Sequence, residues 1–481
     1  MNNIAFVASE SVPFIKTGGL ADVVGSLPKW INKEEFDCRV IIPKYKCMKQ
    51  QFTENLEYVT NFYMDLGWRK QYVGIFKTVY EGVTVYMIDN EFYYSGDRPY
   101  SDISYDIEKF AFFSKAALSI LPVVGFKPDI IHCHDWQTGL IPIYLKDSFA
   151  GSDFYKDIKA VMTIHNLKFQ GAWSVDHIKD ITGLSDYYFT SDKLLHNNGA
   201  NILKGGIVYA DYVTTVSESY AEEIMIPFYG EGLDGLMRYK RAHLTGILNG
   251  IDYDVYNPQT DTYIYRNYGV EDFKTNKKYN KTKLQEELGL NVDENKFMIG
   301  IVSRLTDQKG IDLIACVMDE ICNEDVQIVI LGTGDEHYEN MFRYYADKYN
   351  DKVSANICYS EEMSHKIYAS CDAFLMPSLF EPCGLSQLMS LRYGTVPIVR
   401  ETGGLKDTVE SFNEYEDKGT GFSFTNYNAH DMLYVLRYAV KTYYDKMEQW
   451  NGIVERAMSA DYSWAISASK YEALYKKLLN C

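Results

Sequence analysis

An eight-residue glycine pattern occurs twice in this chain, near the start and again close to the end. Thr-Gly-Gly-Leu-x-Asp-x-Val stands at positions 17–24 and at positions 402–409. Each copy follows a short apolar run and leads into a helical pattern, which predicts a strand, a glycine turn and a helix. Such a turn lets the backbone approach a ligand and directs N–H groups at an anion. One copy is equally typical of a plain tight turn, but two distant copies predict two paired nucleotide-type domains.

Length and charge limit the class of protein. A chain of 481 residues is long enough for two large domains. Its formal net charge of −18 argues against nucleic acid and against an anionic membrane surface as partners. The first residues enter a strand pattern directly, so we expect no export signal and no membrane span. The 9 cysteines form no C-x-x-C pair, which favours reduced thiols and a cytoplasmic location.

Short apolar runs alternate with longer helical patterns along the whole chain, which is typical of parallel α/β layers. A turn signal at 248–252 precedes a polar stretch and indicates a domain boundary there. The predicted strands are 4–9, 39–42, 83–88, 130–132, 160–164, 212–216, 298–302, 327–331, 373–376 and 396–399.

Three cations stand where open parallel sheets bind ligands, at the ends of predicted strands. Arg304 closes the strand 298–302, and Lys309 follows it just before a glycine and a helix. Lys16 directly precedes the first copy of the glycine pattern, one residue before the glycine pair. Surface cations are usually only solvated, but in so acidic a chain we interpret these as a clamp for a diphosphate, in which guanidinium gives bidentate contacts.

Three further side chains follow predicted strands and are candidates for contact with a substrate. Glu381 precedes a proline turn and a helix, so it is either a helix-start charge, the commoner case, or an acceptor of sugar hydroxyls that stabilises positive charge. His165 and Asp135 each end a strand.

Two patterns resemble metal sites, and we interpret neither as one. His132-x-His134-Asp135 has the residue types of metal ligands, but we expect its alternate side chains to point to opposite faces of a strand. Asp252-x-Asp254 has the form that metal-dependent glycosyltransferases use for a nucleotide diphosphate. Because it follows Asn-Gly, turn chemistry is the simpler interpretation. We therefore expect no metal.

Seven motifs, in order along almost the whole chain, together resemble the bacterial glycogen synthase and starch synthase family. They are the segments 16–23, 132–136, 163–171, 248–252, 303–310, 380–385 and 402–405. The resemblance implies an α/β fold of the GT-B type, with two Rossmann-like domains facing across a deep cleft. The implied domains are 1–248 on the acceptor side and 249–461 for the nucleotide sugar. A C-terminal helix, 462–481, would cross back to the first domain.

The resemblance also implies an activity and a set of contacts. A retaining glucosyltransferase would transfer glucose from ADP-glucose to the non-reducing 4-hydroxyl of an α-1,4-glucan, without cofactor or metal. The implied catalytic residues are Glu381, Lys309, Arg304, His165 and Asp135. The implied substrate-binding residues are Lys16, Gly18, Gly19, Asp22, Asn249, Cys383, Gly384, Leu385, Thr402, Gly403 and Gly404. In this set the second glycine loop offers backbone donors to phosphate.

Alternatives remain at this stage. A UDP-glucose-dependent enzyme of the same fold would differ only at the base pocket. A GT-B phosphorylase would need pyridoxal phosphate and a much longer chain. A non-catalytic glucan-binding paralogue would be expected to lack Lys16, Arg304, Lys309 or Glu381, and all four are present. No second carboxylate in the motifs clearly pairs with Glu381, so we favour attack from the same face over a covalent intermediate.

Overall fold

The computed structural model describes residues 1–480, which form two compact units. The first unit comprises Met1–Val216, Ala221–Asn249 and 464–480, and the second comprises Ser217–Tyr220 and Gly250–Ser463. The chain thus passes from the first unit to the second between Asn249 and Gly250, within the turn signal at 248–252.

The strands are numbered in chain order. Those of the first unit are β1 (Asn2–Val7), β2 (Phe36–Pro43), β3 (Glu57–Leu66), β4 (Arg69–Tyr80), β5 (Val83–Asp89), β6 (Ile130–His134), β7 (Lys159–Ile164), β8 (Ala172–Trp173), β9 (Leu195–His196), β10 (Gly199–Asn201), β11 (Tyr212–Thr215) and β12 (Leu244–Gly246). Those of the second unit are β13 (Phe297–Val302), β14 (Val326–Leu331), β15 (Val353–Asn356), β16 (Ala373–Met376), β17 (Val396–Arg400) and β18 (Phe422–Phe424).

The helices follow the same order. Up to residue 239 they are α1 (Gly19–Trp30), α2 (Glu91–Tyr94), α3 (Ile103–Val123), α4 (Ile141–Lys146), α5 (Val175–Thr182), α6 (Ile202–Tyr209), α7 (Glu218–Glu223) and α8 (Asp234–Tyr239). After it they are α9 (Phe273–Leu288), α10 (Ile311–Cys316), α11 (Met318–Asn323), α12 (Glu336–Lys348), α13 (Glu361–Ser370), α14 (Ser386–Arg392), α15 (Gly403–Thr408), α16 (Ala429–Asp445), α17 (Met447–Ser459) and α18 (Trp464–Leu479). Short 3-10 turns lie at Gln50–Phe52, Trp136–Thr138, Asp186–Tyr188, Arg241–His243 and Asp307–Lys309.

The first unit is built on a nine-stranded sheet in the order β12-β11-β7-β6-β1-β2-β5-β4-β3. Its strands run parallel except for β4, which pairs antiparallel with both β3 and β5. Strand β1 lies between β2 and β6, so the strand order reverses beside it. In open α/β sheets ligands bind at the carboxyl ends of the strands at such a reversal. The first glycine loop follows β1 and therefore lies at this position.

The second unit contains a six-stranded parallel sheet in the order β15-β14-β13-β16-β17-β18. Here β13 lies between β14 and β16, which gives a second reversal of strand order. Segments that follow β13 and β16 therefore meet at the edge where a ligand is expected.

The predicted α/β class is confirmed, because every predicted strand has a counterpart among the parallel strands. The central strands are buried on both faces, as the continuous apolar runs indicate; Ile4, Ala5 and Phe6 of β1 have no exposed surface. The hairpin β3–β4 was not predicted. Most residues of both strands are exposed or partly buried, and neither strand has a long continuous apolar run.

Helix ends follow local chemistry. The side chain of Asn428 accepts hydrogen bonds from the backbone N–H groups of His430 and Asp431 and so begins α16. Helix α9 ends at Gly289, whose φ of 69° places it in the left-handed conformation that favours glycine.

The last helix returns to the first unit, as the resemblance implies. On α18, the hydroxyl of Ser467 donates to the carbonyl of Leu248 at 2.6 Å. Further along, the Tyr475 hydroxyl lies 2.7 Å from His132 Nδ1 on β6. The first unit therefore includes residues from both ends of the chain.

Two expectations from composition are addressed by the described part of the chain. No helix within residues 1–480 combines the length and the apolar character that crossing a membrane requires. Within the same residues 8 cysteines are free thiols and none forms a disulfide.

Candidate active site

The first glycine loop is held from behind by the carboxylate of Glu10. Thr17 donates to it through its hydroxyl at 2.7 Å and through its backbone N–H. The Tyr100 hydroxyl donates to the same carboxylate. Burial raises the pKa of Glu10 above its ordinary value, while these hydrogen bonds act in the opposite direction. The loop conformation is therefore fixed by the protein itself before any ligand arrives.

The outer side of this loop is open. Residues Lys16, Gly18 and Gly19 are exposed, and a side chain added at Gly18 would meet no atom within 4 Å. Lys16 Nζ lies 2.7 Å from Asp22 Oδ1, with 34 % of the lysine side chain exposed. The loop thus presents a cation and an unobstructed backbone beside the start of α1.

Asp135 and His165 lie together at the ends of the neighbouring parallel strands β6 and β7. The backbone N–H of His165 donates to Asp135 Oδ1 at 2.7 Å. Burial raises the pKa of Asp135 to about 7. Asp135 also has a φ of 56°, which is uncommon outside glycine, and strain of this kind is concentrated at functional sites.

The expectation about the His-x-His pattern was wrong. His132 and His134 lie on the same face of β6 with their rings stacked at 4.4 Å, because side chains two positions apart on a strand share a face. Both rings make hydrogen-bond contacts with other side chains of the protein. His132 contacts Tyr475 and Thr163, and His134 Nδ1 lies 3.0 Å from His165 Nε2. His134 therefore belongs with His165 and not with a ligand set for a metal.

Asn249 ends the main part of the first unit and is buried. Its Oδ1 atom has no hydrogen-bond partner within residues 1–480. A buried acceptor without a partner is rare, because its desolvation is not compensated.

In the second unit the structure brings Lys309 and Glu381 into direct contact. Lys309 Nζ lies 2.6 Å from Glu381 Oε2, and Ser378 Oγ donates to the same oxygen at 3.0 Å. Lys309 ends a 3-10 turn after β13, and Glu381 follows the adjacent parallel strand β16. The Glu381 side chain is only 7 % exposed. The carboxylate is therefore an acceptor in a paired cluster, and it does not serve as a solvated charge at a helix start.

Arg304 follows β13 at the same sheet edge and remains exposed. Its guanidinium makes no hydrogen bond or ion pair with any part of the chain that the structure describes. A planar donor group with all its N–H groups unused is suited to an oxyanion ligand.

The second glycine loop differs from the first because it is buried against the protein's own backbone. Gly403 has a φ of 43°, and a Cβ there would lie 2.0 Å from the carbonyl oxygen of Glu381. A Cβ on Gly404 would lie 1.9 Å from the carbonyl oxygen of Cys383. The N–H of Gly404 donates to Glu381 O at 3.0 Å. That donor is thus already paired within the protein, in contrast to the expected role of the loop toward phosphate.

The remaining predicted residues lie in the same region of the second unit. Thr402 and Cys383 are buried, Gly384 has a φ of 71°, and Leu385 is partly buried just before α14.

The sequence reasoning did not single out Glu10, Ser378 or Arg400, and it considered His134 only as a possible metal ligand. Arg400 is buried and donates to the carbonyls of Ser378 at 3.3 Å and Leu379 at 2.6 Å, which braces the turn that carries Glu381. Arg400 ends β17, and Glu10 follows β1 closely. Applying the strand-end argument evenly to every strand would have found both.

The Asp-x-Asp pattern forms a local turn, as its chemistry predicts. Asp252 Oδ1 accepts a hydrogen bond from the backbone N–H of Asp254 at 2.9 Å. No group of three or more His, Cys, Asp or Glu side chains within residues 1–480 is placed to hold a metal ion.

Comparisons with known proteins identify two matching families and a close relative along the full length of the chain. A family described as the starch synthase catalytic domain matches residues 3–239, and one described as glycosyl transferases group 1 matches residues 282–452. A glycogen synthase from Lachnospira eligens is 68 % identical over 478 residues, which cover 99 % of this chain and all of that protein.

Solved structures give the same result for the fold. The catalytic domain of Starch Synthase IV from Arabidopsis thaliana, bound to ADP and acarbose, is 32 % identical with a TM-score of 0.93, covering 100 % of this chain and 99 % of that one. A sucrose-phosphate synthase from Thermosynechococcus elongatus is 16 % identical with a TM-score of 0.62 over the full length of both chains, and shows the fold alone. The expected GT-B fold is confirmed, and the chain belongs to the glycogen synthase and starch synthase family of glycosyltransferases.

Proposed function

We propose that the chain transfers glucose from ADP-glucose to the non-reducing 4-hydroxyl of an α-1,4-glucan, with retention of the anomeric configuration. The observation that carries this proposal is the paired Lys309–Glu381 cluster beside the unpaired Arg304 at one sheet edge. The similarity to a starch synthase solved with ADP and acarbose supports the choice of nucleotide and of acceptor.

Lys309 and Arg304 are proposed to meet the diphosphate of the donor. The Lys309 ammonium has three N–H donors, and Glu381 occupies one of them. Two donors therefore remain for phosphate oxygens while the ion pair persists. The free fork of Arg304 would add bidentate contacts, and each such contact to the departing charge stabilises the transition state by about 2–4 kcal/mol.

Glu381 is proposed to hold the sugar hydroxyls and to stabilise positive charge that develops at the anomeric carbon. Its Oε2 already accepts hydrogen bonds from Lys309 and Ser378, which makes that oxygen a poor nucleophile. A covalent intermediate of the kind that retaining glycosidases form uses two carboxyl groups about 5 Å apart, and no second carboxylate of the motifs clearly pairs with Glu381. We therefore favour attack by the acceptor from the face that the diphosphate leaves, with a departing phosphate oxygen taking the proton of the acceptor hydroxyl.

The remaining predicted residues are proposed to bind substrate in the roles that the family implies. In the first unit these are Lys16, Gly18, Gly19, Asp22, Asp135, His165 and Asn249. In the second they are Cys383, Gly384, Leu385, Thr402, Gly403 and Gly404, with the last two acting mainly by fixing the backbone of Glu381.

We also propose that the reaction needs no metal and no cofactor, because Arg304 and Lys309 supply the positive charge that a metal would otherwise provide. The free thiols of the described cysteines support a reducing, cytoplasmic location.

The test is an assay of purified protein with ADP-glucose or UDP-glucose as donor and glycogen as acceptor, with and without EDTA. We expect activity with ADP-glucose, an α-linked product by NMR, and no loss in EDTA. Preference for UDP-glucose would overturn the choice of nucleotide, and strict dependence on Mn²⁺ or Mg²⁺ would overturn the metal-free clamp.

Variants locate the chemistry. Arg304→Ala and Lys309→Ala should each lower turnover by about a hundredfold or more, because each removes a charge from the diphosphate. Glu381→Gln should remove most activity while the melting temperature stays near that of the wild type. Lys283→Ala changes an exposed lysine of α9 and is the matched control. Near-normal turnover in all three site variants would contradict the assignment.

A further inference from the structure

The side chains of His134 and His165 face each other across two neighbouring strands. His134 is the last residue of β6, and its register partner on β7 is Thr163, two positions before His165. The His134 Nδ1 atom lies 3.0 Å from His165 Nε2, within hydrogen-bond distance. Neither the family comparisons nor the proposed mechanism assigns a role to His134.

Both imidazoles are neutral at ordinary pH. Burial lowers the pKa of His165 to about 3 and holds the pKa of His134 well below its ordinary value. A neutral imidazole carries one N–H donor and one bare acceptor nitrogen. The two facing nitrogens therefore share one proton, and the position of that proton determines which nitrogen of each ring is protonated.

Two arrangements satisfy this contact. In one, His134 donates from Nδ1, so its own Nε2 is a bare acceptor and His165 carries its proton on Nδ1. In the other, His165 donates from Nε2, so His134 carries its proton on Nε2 and the Nδ1 atom of His165 is bare.

The surroundings of His134 distinguish the two arrangements. His134 Nε2 is buried and has no hydrogen-bond partner within residues 1–480. Buried N–H groups without an acceptor are rarer in proteins than buried acceptors without a donor. The arrangement that leaves only a bare nitrogen at this position is therefore the more stable one.

We propose that His134 donates its Nδ1 proton to His165 and thereby fixes His165 as the tautomer with a proton on Nδ1. His134 is then a positioning residue for the reaction, and this rests on the proposed contact of His165 with substrate. His165 is partly exposed, whereas His134 is fully buried. Fixed in this way, His165 offers a hydrogen-bond donor to an oxygen of the ligand, either a sugar hydroxyl or a phosphate.

The ring of His134 is held firmly enough for this task. It stacks on His132 at 4.4 Å and on Phe6 at 6.0 Å. Its backbone N–H donates to Thr138 Oγ1 at 2.7 Å. His132 is itself held by a hydrogen bond at each ring nitrogen, to Tyr475 and to Thr163, so His134 has little freedom to turn away from His165.

The direct test is NMR of the full chain carrying ¹⁵N-labelled histidine, without substrate. Imidazole ¹⁵N shifts distinguish a protonated from a bare ring nitrogen, and the spectra of His134→Phe and His165→Gln assign the two residues. We expect His165 protonated on Nδ1 and His134 protonated on Nδ1. A proton on Nε2 of His165 would overturn the proposal.

A matched pair of variants tests the consequence. His134→Phe keeps a buried aromatic ring and removes the donor, so His165 should shift toward the Nε2-protonated form and kcat/KM for ADP-glucose should fall about tenfold. His132→Phe removes a neighbouring buried imidazole that makes no hydrogen bond to His165, so the His165 shifts should stay unchanged. Equal ¹⁵N changes in both variants would reduce His134 to a packing role.

The two proposals fail in distinguishable ways. The tautomer of His165 is measured on the free protein and does not depend on which sugar nucleotide is the donor. If the proposed function is wrong, the wild-type protein will lack activity with ADP-glucose and glycogen, and the ¹⁵N spectra of the histidines will be unaffected.

Discussion

The two glycine loops share eight-residue patterns but are constrained from opposite sides. The first is exposed, and the space around Gly18 is empty. The second is buried, and both Gly403 and Gly404 lie against the backbone at 381–383. Glycine thus leaves room for a ligand in one loop and for the protein's own chain in the other. A glycine pattern indicates that something approaches the backbone closely, and only the packing shows what it is.

The carboxylates beside the loops differ in the same sense. Glu10 supports the first loop from behind through hydrogen bonds from Thr17 and Tyr100. Glu381 contacts the second loop through its carbonyl and pairs with Lys309 through its side chain. In the first unit the carboxylate shapes the loop, whereas in the second the loop shapes the segment that carries the carboxylate.

The largest expected effect is that of Gly404→Ala. The new Cβ would meet the Cys383 backbone, which cannot move aside as a flexible side chain would. We expect a loss of about 3 kcal/mol or more in the free energy of unfolding, with activity lost alongside it. Thermal and urea unfolding measure the change. A variant as stable as the wild type would show that the close packing of the second loop does not exist in solution.

A smaller effect is expected for Glu10→Gln. The amide keeps one acceptor oxygen but turns an NH₂ group toward donors, so part of the support of the first loop is lost at about 2 kcal/mol. Hydrogen exchange should become faster at 16–19 and stay unchanged at 402–405, which serves as the internal control. Equal protection of both loops in the variant would contradict the role of Glu10.

The raised pKa of Asp135 should make the stability of the protein depend on pH. Its folded pKa of about 7 lies above its ordinary value of 3.8, so its contribution is complete below pH 4 and is lost as the pH rises through 7. The slope is at most about 1.4 kcal/mol per pH unit. The free energy of unfolding of Asp135→Asn should therefore rise relative to that of the wild type between pH 4 and pH 7. All other groups titrate in both proteins. If the difference in free energy of unfolding between the two proteins stays constant from pH 4 to pH 7, folding does not raise the pKa of Asp135.

The smallest effect on stability is expected for Gly18→Ala. The φ of −159° is accessible to any residue, and the methyl group would enter open space. Stability should change by no more than about 0.5 kcal/mol. If a ligand approaches this backbone as proposed, the KM for ADP-glucose should rise. An unchanged KM would remove the first loop from the donor site and leave it as a turn.

Much of the fold was predictable because continuous apolar runs of the parallel strands are strong local signals. The hairpin β3–β4 was missed because its strands are mostly exposed or partly buried and carry few consecutive apolar residues. Residues that follow strands, such as Lys309 and Glu381, could be chosen as site candidates from their position in the sequence. Their direct contact was not predictable, since it depends on two turns separated by 72 positions. The two glycine loops also pack differently, and this difference could not be predicted because their local sequence patterns are the same.

The contribution of α18 to the first unit has a consequence for synthesis. A ribosome makes β1 to β12 well before Tyr475, whose hydroxyl lies within hydrogen-bond distance of His132 Nδ1. The first unit is therefore completed only after residues 250–463 of the second unit have been made. Until α18 has been translated, the Nδ1 atom of His132 lacks its partner at the centre of the sheet. A nonsense mutation before α18 would thus remove a contact of β6, far from the truncated end in sequence.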